Sequence, residues 1–405
     1  MAKVLISSVG VGNKKDGGYQ TATYEYEGKR QSTPFISKAL VEFLAIDRLF
    51  LLGTRGSIWD SVYAEFGGED EEIELALWDK KERNSIDEED LRIVQNQIDK
   101  FLGSVGSRCF LIEYGINEEE LWKNFGIYLK ILDHLQKGDE VYIDITHSFR
   151  SLALFGLVMT QFGHTIKEKN FKIAGILYGM FEYKHHNNGI TPIVDLKILY
   201  DLIEWMKAIE NLTQYGNADK IVELLSGDEE LKEERKIFNN FSLSLRMANL
   251  ASIKENINRL DKKLKIIQNS SNPIISLLSE ELIDFIQRLN KEKLSDFQLA
   301  IAEWFCEHKH YALGYVALVE SIVTKVCERK GYATDEKEAR DRAKREISQI
   351  DNTLYYKIYQ SANRIRNDIC HQIGKRETSL LNDANNLERY IQKTKEIFER
   401  LEKKG

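Results

Sequence analysis

Proline is nearly missing from this chain: 3 in 405 residues. A sequence so poor in the residue that breaks helices is expected to hold long ones. Cysteine is also scarce. Cys109, Cys306, Cys327 and Cys370 lie far apart and form no CxxC pair, which argues against a zinc knuckle or a disulfide framework. Reduced thiols and a cytoplasmic location are the expectation. Long hydrophobic runs are absent too. "KVLISSVGVG" stops at glycines, and "LFGLVMTQFG" is too short to span a bilayer. Neither a membrane span nor a signal-peptide cleavage pattern is expected. Finally, basic charge is not in excess. The net charge of −7 excludes a generally basic nucleic-acid coat. Its distribution is uneven, since residues 301–405 carry 20 Lys/Arg against 17 Asp/Glu, a balance of +3, and the rest sums to −10.

What is present is 42% apolar and 30% charged residues, a globular balance over a length that allows two or three domains. Residues 1–197 alternate strand and helix signals. "KVLISSVG", "DRLFLLGTRGS", "RCFLIEYG", "EVYIDITHS" and "FKIAGILYGMFEY" read as five strands. "TPFISKALVEFLA", "EEELWKNFGIYLKILDHLQKGD" and "FRSLALFGLVMTQFG" read as helices between them. Thr33 is the expected N-cap of the first, with Pro34 at its first helical position. The pattern predicts a mostly parallel, Rossmann-like α/β sheet covered on both faces. From about Leu196 the spacing becomes helical and stays so almost to Gly405, with breaks near Asn269–Pro273, Lys330–Ala333 and Gly374. An α/β half is thus followed by an all-α half. The expected division is 1–197, 198–295 and 296–405.

In an open parallel sheet, ligands bind outside the carboxyl ends of the strands. Four such ends carry suggestive residues: Ser7 to Asn13, Gly53 to Ser57, Asp144 to Arg150, and the turn near Tyr178. Gly10 and Gly12 do not extend to GxGxxG, because position 15 is lysine, so a dinucleotide fingerprint is poorly supported. "DITHSFR" runs from a strand straight into a helix. Backbone N–H groups of Thr146, His147 and Ser148 at a helix start, with Arg150, are suited to an anion. With Arg55 at another strand end, a phosphate-rich ligand is the expectation. The bland alternative for each is an ordinary turn.

Near the other end stands "RNDICHQ", residues 366–372. Within one helix Asn367 and His371 share a face, whereas Arg366 and His371 are about 140° apart and do not meet well in one chain. By itself this is a charged helix end as readily as an active site. No clustered carboxylate or histidine set stands at metal-ligand spacing. His308 and His310, two apart, would not share a helix face, and no metal site is read from the sequence.

With "DITHSFR" in one half and "RNDICH" in the other, the sequence resembles the CRISPR-associated ribonucleases that join a CRISPR-associated Rossmann-fold (CARF) sensor to a HEPN nuclease domain. The resemblance covers both halves in the family's order. Ser148 stands where many relatives have glycine. The resemblance implies a homodimer that binds a cyclic oligoadenylate made during type III CRISPR defence, with tetra-adenylate preferred and hexa-adenylate next. The implied ligand contacts are Ser8, Val9, Gly10, Gly12 and Asn13; Gly53, Thr54, Arg55, Gly56 and Ser57; Thr146, His147, Ser148 and Arg150; and Tyr178. It implies metal-independent cleavage of single-stranded RNA, with no cofactor. The 2′-OH attacks the adjacent phosphorus, Arg366 stabilises the added charge, His371 serves as base, acid or orienting group, and Asn367 positions. Glu320 is an expected partner for Arg364 or Arg366, or an exposed side chain. Two further readings stay open: a sensor domain that also cuts its activator through Thr146, His147 or Ser8, and a non-enzymatic, ligand-responsive nucleic-acid binder.

Overall fold

The computed structural model describes residues 1–12, 14–15, 18–147, 150–165, 170–277, 279–349, 353–370 and 377–403. The chain divides into two compact units, Met1–Asp201 and Leu202–Gly405.

Among its described residues, the first unit holds ten strands: β1 (Lys3–Val9), β2 (Lys14–Lys15), β3 (Gly18–Tyr19), β4 (Ala22–Tyr26), β5 (Lys29–Thr33), β6 (Arg48–Gly53), β7 (Arg108–Leu111), β8 (Glu140–Asp144), β9 (Lys172–Gly179) and β10 (Ile190–Asp195). Eight of them form one sheet in the order β5-β4-β10-β9-β8-β1-β6-β7, while β2 and β3 pair apart. The five strands expected from the sequence are all parallel to their neighbours among themselves. The sheet is wider than expected. β10 runs antiparallel to β9, β4 runs parallel to β10, and β5 runs antiparallel to β4.

Among the described residues, six α-helices accompany the sheet: α1 (Ile36–Leu44), α2 (Trp59–Glu65), α3 (Glu71–Glu82), α4 (Glu88–Leu102), α5 (Glu118–His134) and α6 (Arg150–Thr165). Side chains alternate across each strand with period two, and the two cores follow from this. Leu5, Val9, Leu49 and Leu51 face α1, α2 and α4, while Val4, Ile6, Phe50 and Leu52 face α5 and α6. Each fully buried Leu, Ile or Phe contributes about 1.5–3 kcal/mol. The start of α1 differs from expectation. Its N-cap is Phe35, with no side-chain cap bond. Thr33 instead ends β5, and its hydroxyl accepts the Phe35 N–H at 3.1 Å. A hydroxyl two residues upstream therefore makes a local turn rather than a cap.

The order places a topological switch at β1. After β1 the chain builds β4 and β5 at the far edge, returns through α1 to β6 and β7 on one side of β1, and then passes through α5 to β8 on its other side. The crevice between the carboxyl ends of β1 and β8 is where such a sheet opens to a ligand.

Among its described residues, the second unit is helical. Its central helix, Tyr311–Lys330, buries Ala317, Leu318, Ile322, Val323 and Val326 completely. The helices Leu294–Glu307, Lys337–Glu346, Thr353–Cys370 and Glu377–Lys403 pack on it. At Gly314 a Cβ would stand 2.6 Å from Leu387 Cδ2, so glycine permits the close crossing of Glu377–Lys403. The expected breaks at 269–273 and 330–333 fall between helices, and that at Gly374 lies outside the described residues.

Candidate ligand cavity and candidate catalytic helix

Three strand ends are tied together by one carboxylate. Asp144, buried at the end of β8, accepts from Ser7 Oγ of β1 at 2.6 Å. Its other oxygen accepts from Thr146 N at 2.9 Å and Thr146 Oγ1 at 2.6 Å. Thr146 Oγ1 in turn accepts the Gly179 N–H at the end of β9, at 2.8 Å. Asp144 is therefore spent inside the fold, and what it supplies is the position of Thr146 and His147. Burial, aided by the Asp144 charge, pushes the Tyr24 hydroxyl well above its ordinary range and keeps it neutral.

Beside this knot lies a cavity of about 320 Å³. Gly10, Gly12, Thr146, His147 and Tyr178 line it, as the sequence reading expects of a binding site, and His147 is exposed. The rest of the wall was not foreseen: Tyr19, Gln20, Tyr24, Phe35, Phe181 and Glu182. Most of these belong to β3, β4 and the turn after β9. Gly12 has φ +69°, and a Cβ there would stand 2.7 Å from the Tyr19 ring and 3.0 Å from Ile58 Cγ2.

The Gly53–Ser57 loop has a different place. Ser57 Oγ donates to Val9 O at 2.7 Å and accepts from Thr54 N at 2.9 Å. Trp59 Nε1 donates to Thr54 O, and Ile58 N donates to Gly10 O at 3.1 Å. A Cβ at Gly53 would strike Trp59 at 2.5 Å. Gly53, Thr54 and Ser57 thus brace the end of β1 and do not line the cavity, while Gly56 sits beside Tyr114. Arg55 turns away and donates to Ile86 O at 2.5 Å beside a separate hollow with Glu88 and Glu113. Ser8 and Val9 are buried in β1. Asn13 and Ser148 lie outside the described residues. Arg150 begins α6.

In the second unit, Arg366 and Asn367 lie half-buried on the helix Thr353–Cys370, and His371 lies outside the described residues. Arg366 Nη2 donates to Asn363 Oδ1 at 2.5 Å. Its Nε is buried with no hydrogen-bond partner among the described residues. Burial raises the Tyr359 phenol; the Lys344 and Arg366 charges oppose the shift and Glu320 adds to it. Glu320 pairs with Arg340 Nη2, not with Arg364 or Arg366. Arg340 also donates to Thr324 Oγ1 and Thr334 O, so three acceptors hold its fork. Among the described residues, no three His, Cys, Asp or Glu side chains group as a metal site, and no helix is long and apolar enough to cross a membrane.

Residues 4–182 match the family described as CRISPR system endoribonuclease Csx1, CARF domain. Residues 201–296 match CRISPR-associated protein MJ1674, second domain. The chain belongs to the CRISPR-associated proteins that carry a CARF domain. A curated relative is the CRISPR-associated protein MJ1674 of Methanocaldococcus jannaschii, 33% identical over 350 residues, which covers 81% of this chain and 54% of the relative. The chain thus spans about half the length of that relative. A solved structure, Enterococcus italicus Csm6 bound to cyclic hexa-2′-fluoro-hexa-dAMP, aligns over 98% of this chain and 93% of the other, with 11% identity and a TM-score of 0.43.

Proposed function

We propose that the protein is a cyclic-oligoadenylate-activated, metal-independent endonuclease of single-stranded RNA, acting in type III CRISPR defence. One observation carries the reading: the half that matches the CARF family holds a cavity at the switch between β1 and β8, walled by Thr146 and His147. The division into a sensor (1–197), a helical connecting region (198–295) and a HEPN nuclease (296–405) is supported by the second family match, which ends at residue 296. The active form in this reading is a homodimer. Two copies of the helix Thr353–Cys370 facing one another bring together Arg–Asn–His sets that one straight helix holds apart. The Nε of Arg366, buried with no hydrogen-bond partner among the described residues, supports a role for this side chain in receiving a phosphate.

The chemistry follows from these side chains. Arg366 holds the scissile phosphate and stabilises the charge that builds as the 2′-OH attacks. His371 moves or orients the 2′-OH proton. Asn367 positions one of them. The product is a 2′,3′-cyclic phosphate. The preferred activator is the tetra-adenylate ring, with the hexa-adenylate ring next.

A fluorogenic RNA assay in EDTA, with cyclic tri-, tetra- and hexa-adenylate added separately, tests this. Cleavage is expected with one ring, and Arg366→Ala is expected to lose roughly 100- to 1000-fold in rate with ring affinity unchanged. Silence of the wild type with every ring, despite ring binding, would replace this reading with that of a non-enzymatic sensor.

A further inference from the structure

The strand-end cavity holds a polar side chain that makes no hydrogen bond to a described residue. Gln20, half-buried on its wall, makes no side-chain hydrogen bond among the described residues. Its neighbour, by contrast, is firmly anchored. Tyr19 OH donates to Asp60 Oδ2 at 3.0 Å and accepts from Lys81 Nζ at 2.8 Å. Lys81 Nζ lies 3.9 Å from Asp60 and 5.4 Å from the Tyr19 ring centroid. Asp60 and Lys81 are both buried, so this ion pair is shielded from water, and an isolated lysine would not be tolerated there. Burial and the Asp60 carboxylate push the Tyr19 phenol well up, so it stays a donor. None of the strand-end chemistry above needs this cluster. What it does is fix the backbone next to Gln20, while the missing side chain at Gly12 lets the Tyr19 ring pack against the turn after β1.

The remaining walls say what Gln20 would meet. Tyr24, Phe35, Tyr178 and Phe181 offer aromatic surface. Glu182 brings a carboxylate, which repels phosphate groups from its side of the cavity. About 320 Å³ lies at the small end of ligand sites, room for one nucleoside and not for a whole ring. A neutral aromatic base with a hydrogen-bonding edge fits these walls. A glutamine amide offers one donor and one acceptor in a fixed fork, which matches the N7 acceptor and the 6-amino donor of adenine. Guanine and hypoxanthine present two acceptors, N7 and O6, on that edge, and the amide oxygen then faces an oxygen.

We infer that Gln20 is a specificity-determining residue: it reads the N7 and 6-amino edge of one adenine of the ring, seated in the cavity between β1, β8 and β9. This rests on the ring-binding reading above. Calorimetric affinities of the full chain test it, for wild type, Gln20→Leu and Gln20→Glu, against the tetra- and hexa-adenylate rings and the same rings with hypoxanthine bases. The wild type is expected to prefer the adenine rings by roughly 5- to 150-fold per base read. Both variants are expected to lose most of that preference. Gln20→Glu keeps the shape of the side chain, so it decides the matter should Gln20→Leu fail to fold, and unchanged melting temperatures exclude a general loss of structure. A preference retained in either folded variant overturns the role of Gln20 alone, as does a wild type that binds both base types equally. A wild type that binds no ring overturns the ring reading and this assignment with it.

Discussion

Thr146 is the residue on which the strand-end site turns, because its hydroxyl acts twice, donating to Asp144 and accepting from Gly179 N–H. Thr146→Val keeps the shape and strips both bonds, leaving a buried carboxylate and an N–H short of partners. A loss of about 1–3 kcal/mol is expected, read by chemical denaturation, together with weaker ring binding, while Thr146→Ser restores most of both. Gly12 makes a second prediction of the same scale. At φ +69° with Tyr19 2.7 Å from a built Cβ, Gly12→Ala is strained in the backbone and clashes in the side chain. It is expected to destabilise by more than about 1 kcal/mol and to weaken ring binding. The sequence motif Asp-x-Thr-His marked a strand end, but its internal economy was not legible: Asp144 accepts from Ser7 and Thr146 and acts as a strut. Arg55 shows the other limit. A strand-end position fixes where a Cα stands but not where a long side chain turns, and here a backbone carbonyl at Ile86 claims the guanidinium.

At the scale of elements, the apolar central strands were readable and the polar edge was not. β1, β6, β8 and β9 are buried runs, so composition alone marks them. β4 alternates polar and apolar residues and β5 is polar throughout, so their signal lay in the turn between them. Glu27 and Gly28 both have positive φ, +49° and +78°, the signature of a two-residue hairpin turn. β10 carries Pro192, a residue that argues against a central strand, yet that position leaves only one N–H unmade in the ladder. Missing this edge is why Tyr24, on β4, went unforeseen in the cavity wall. In the helical unit, the end of Glu377–Lys403 is pinned by charge. Lys325, buried, sits 3.0 Å from both Asp296 and Glu402, and Lys293 is 2.9 Å from Glu402. Hydrogen bonds from Lys293 and then Lys325 pull the Glu402 carboxyl down to about 2, from an ordinary value near 4.5. A depressed folded-state value means that the stabilisation is complete above pH 4.5 and fades as pH falls toward 2. Glu402 is nearly half exposed, so screening keeps the effect small. Glu402→Gln is expected to lower the melting temperature by a few degrees at neutral pH, with the difference from wild type vanishing in acid. A difference that persists at pH 2 would mean that packing, not charge, holds the helix end.

For the whole molecule, the proposed function has a ligand in one unit govern chemistry in the other, and thermodynamics constrains such coupling without any assumption about how the units are arranged. A ring can raise activity only through tighter binding to the active state than to the resting one. Shifting a population from 1% to 99% active takes a differential of roughly 10⁴-fold. If the active state also binds RNA better, the coupling is reciprocal: RNA must tighten the ring by the same factor as the ring tightens RNA. RNA with 2′-O-methyl groups lacks the attacking hydroxyl, so under the proposed chemistry it binds the unaltered protein without being cut. Ring affinities measured with and without saturating 2′-O-methyl RNA, and RNA affinities with and without ring, are expected to change by one common factor greater than one. Equal ring affinities in both conditions, with cleavage still ring-dependent, would mean that the ring leaves RNA binding alone and acts on the step in which Arg366 meets the developing charge.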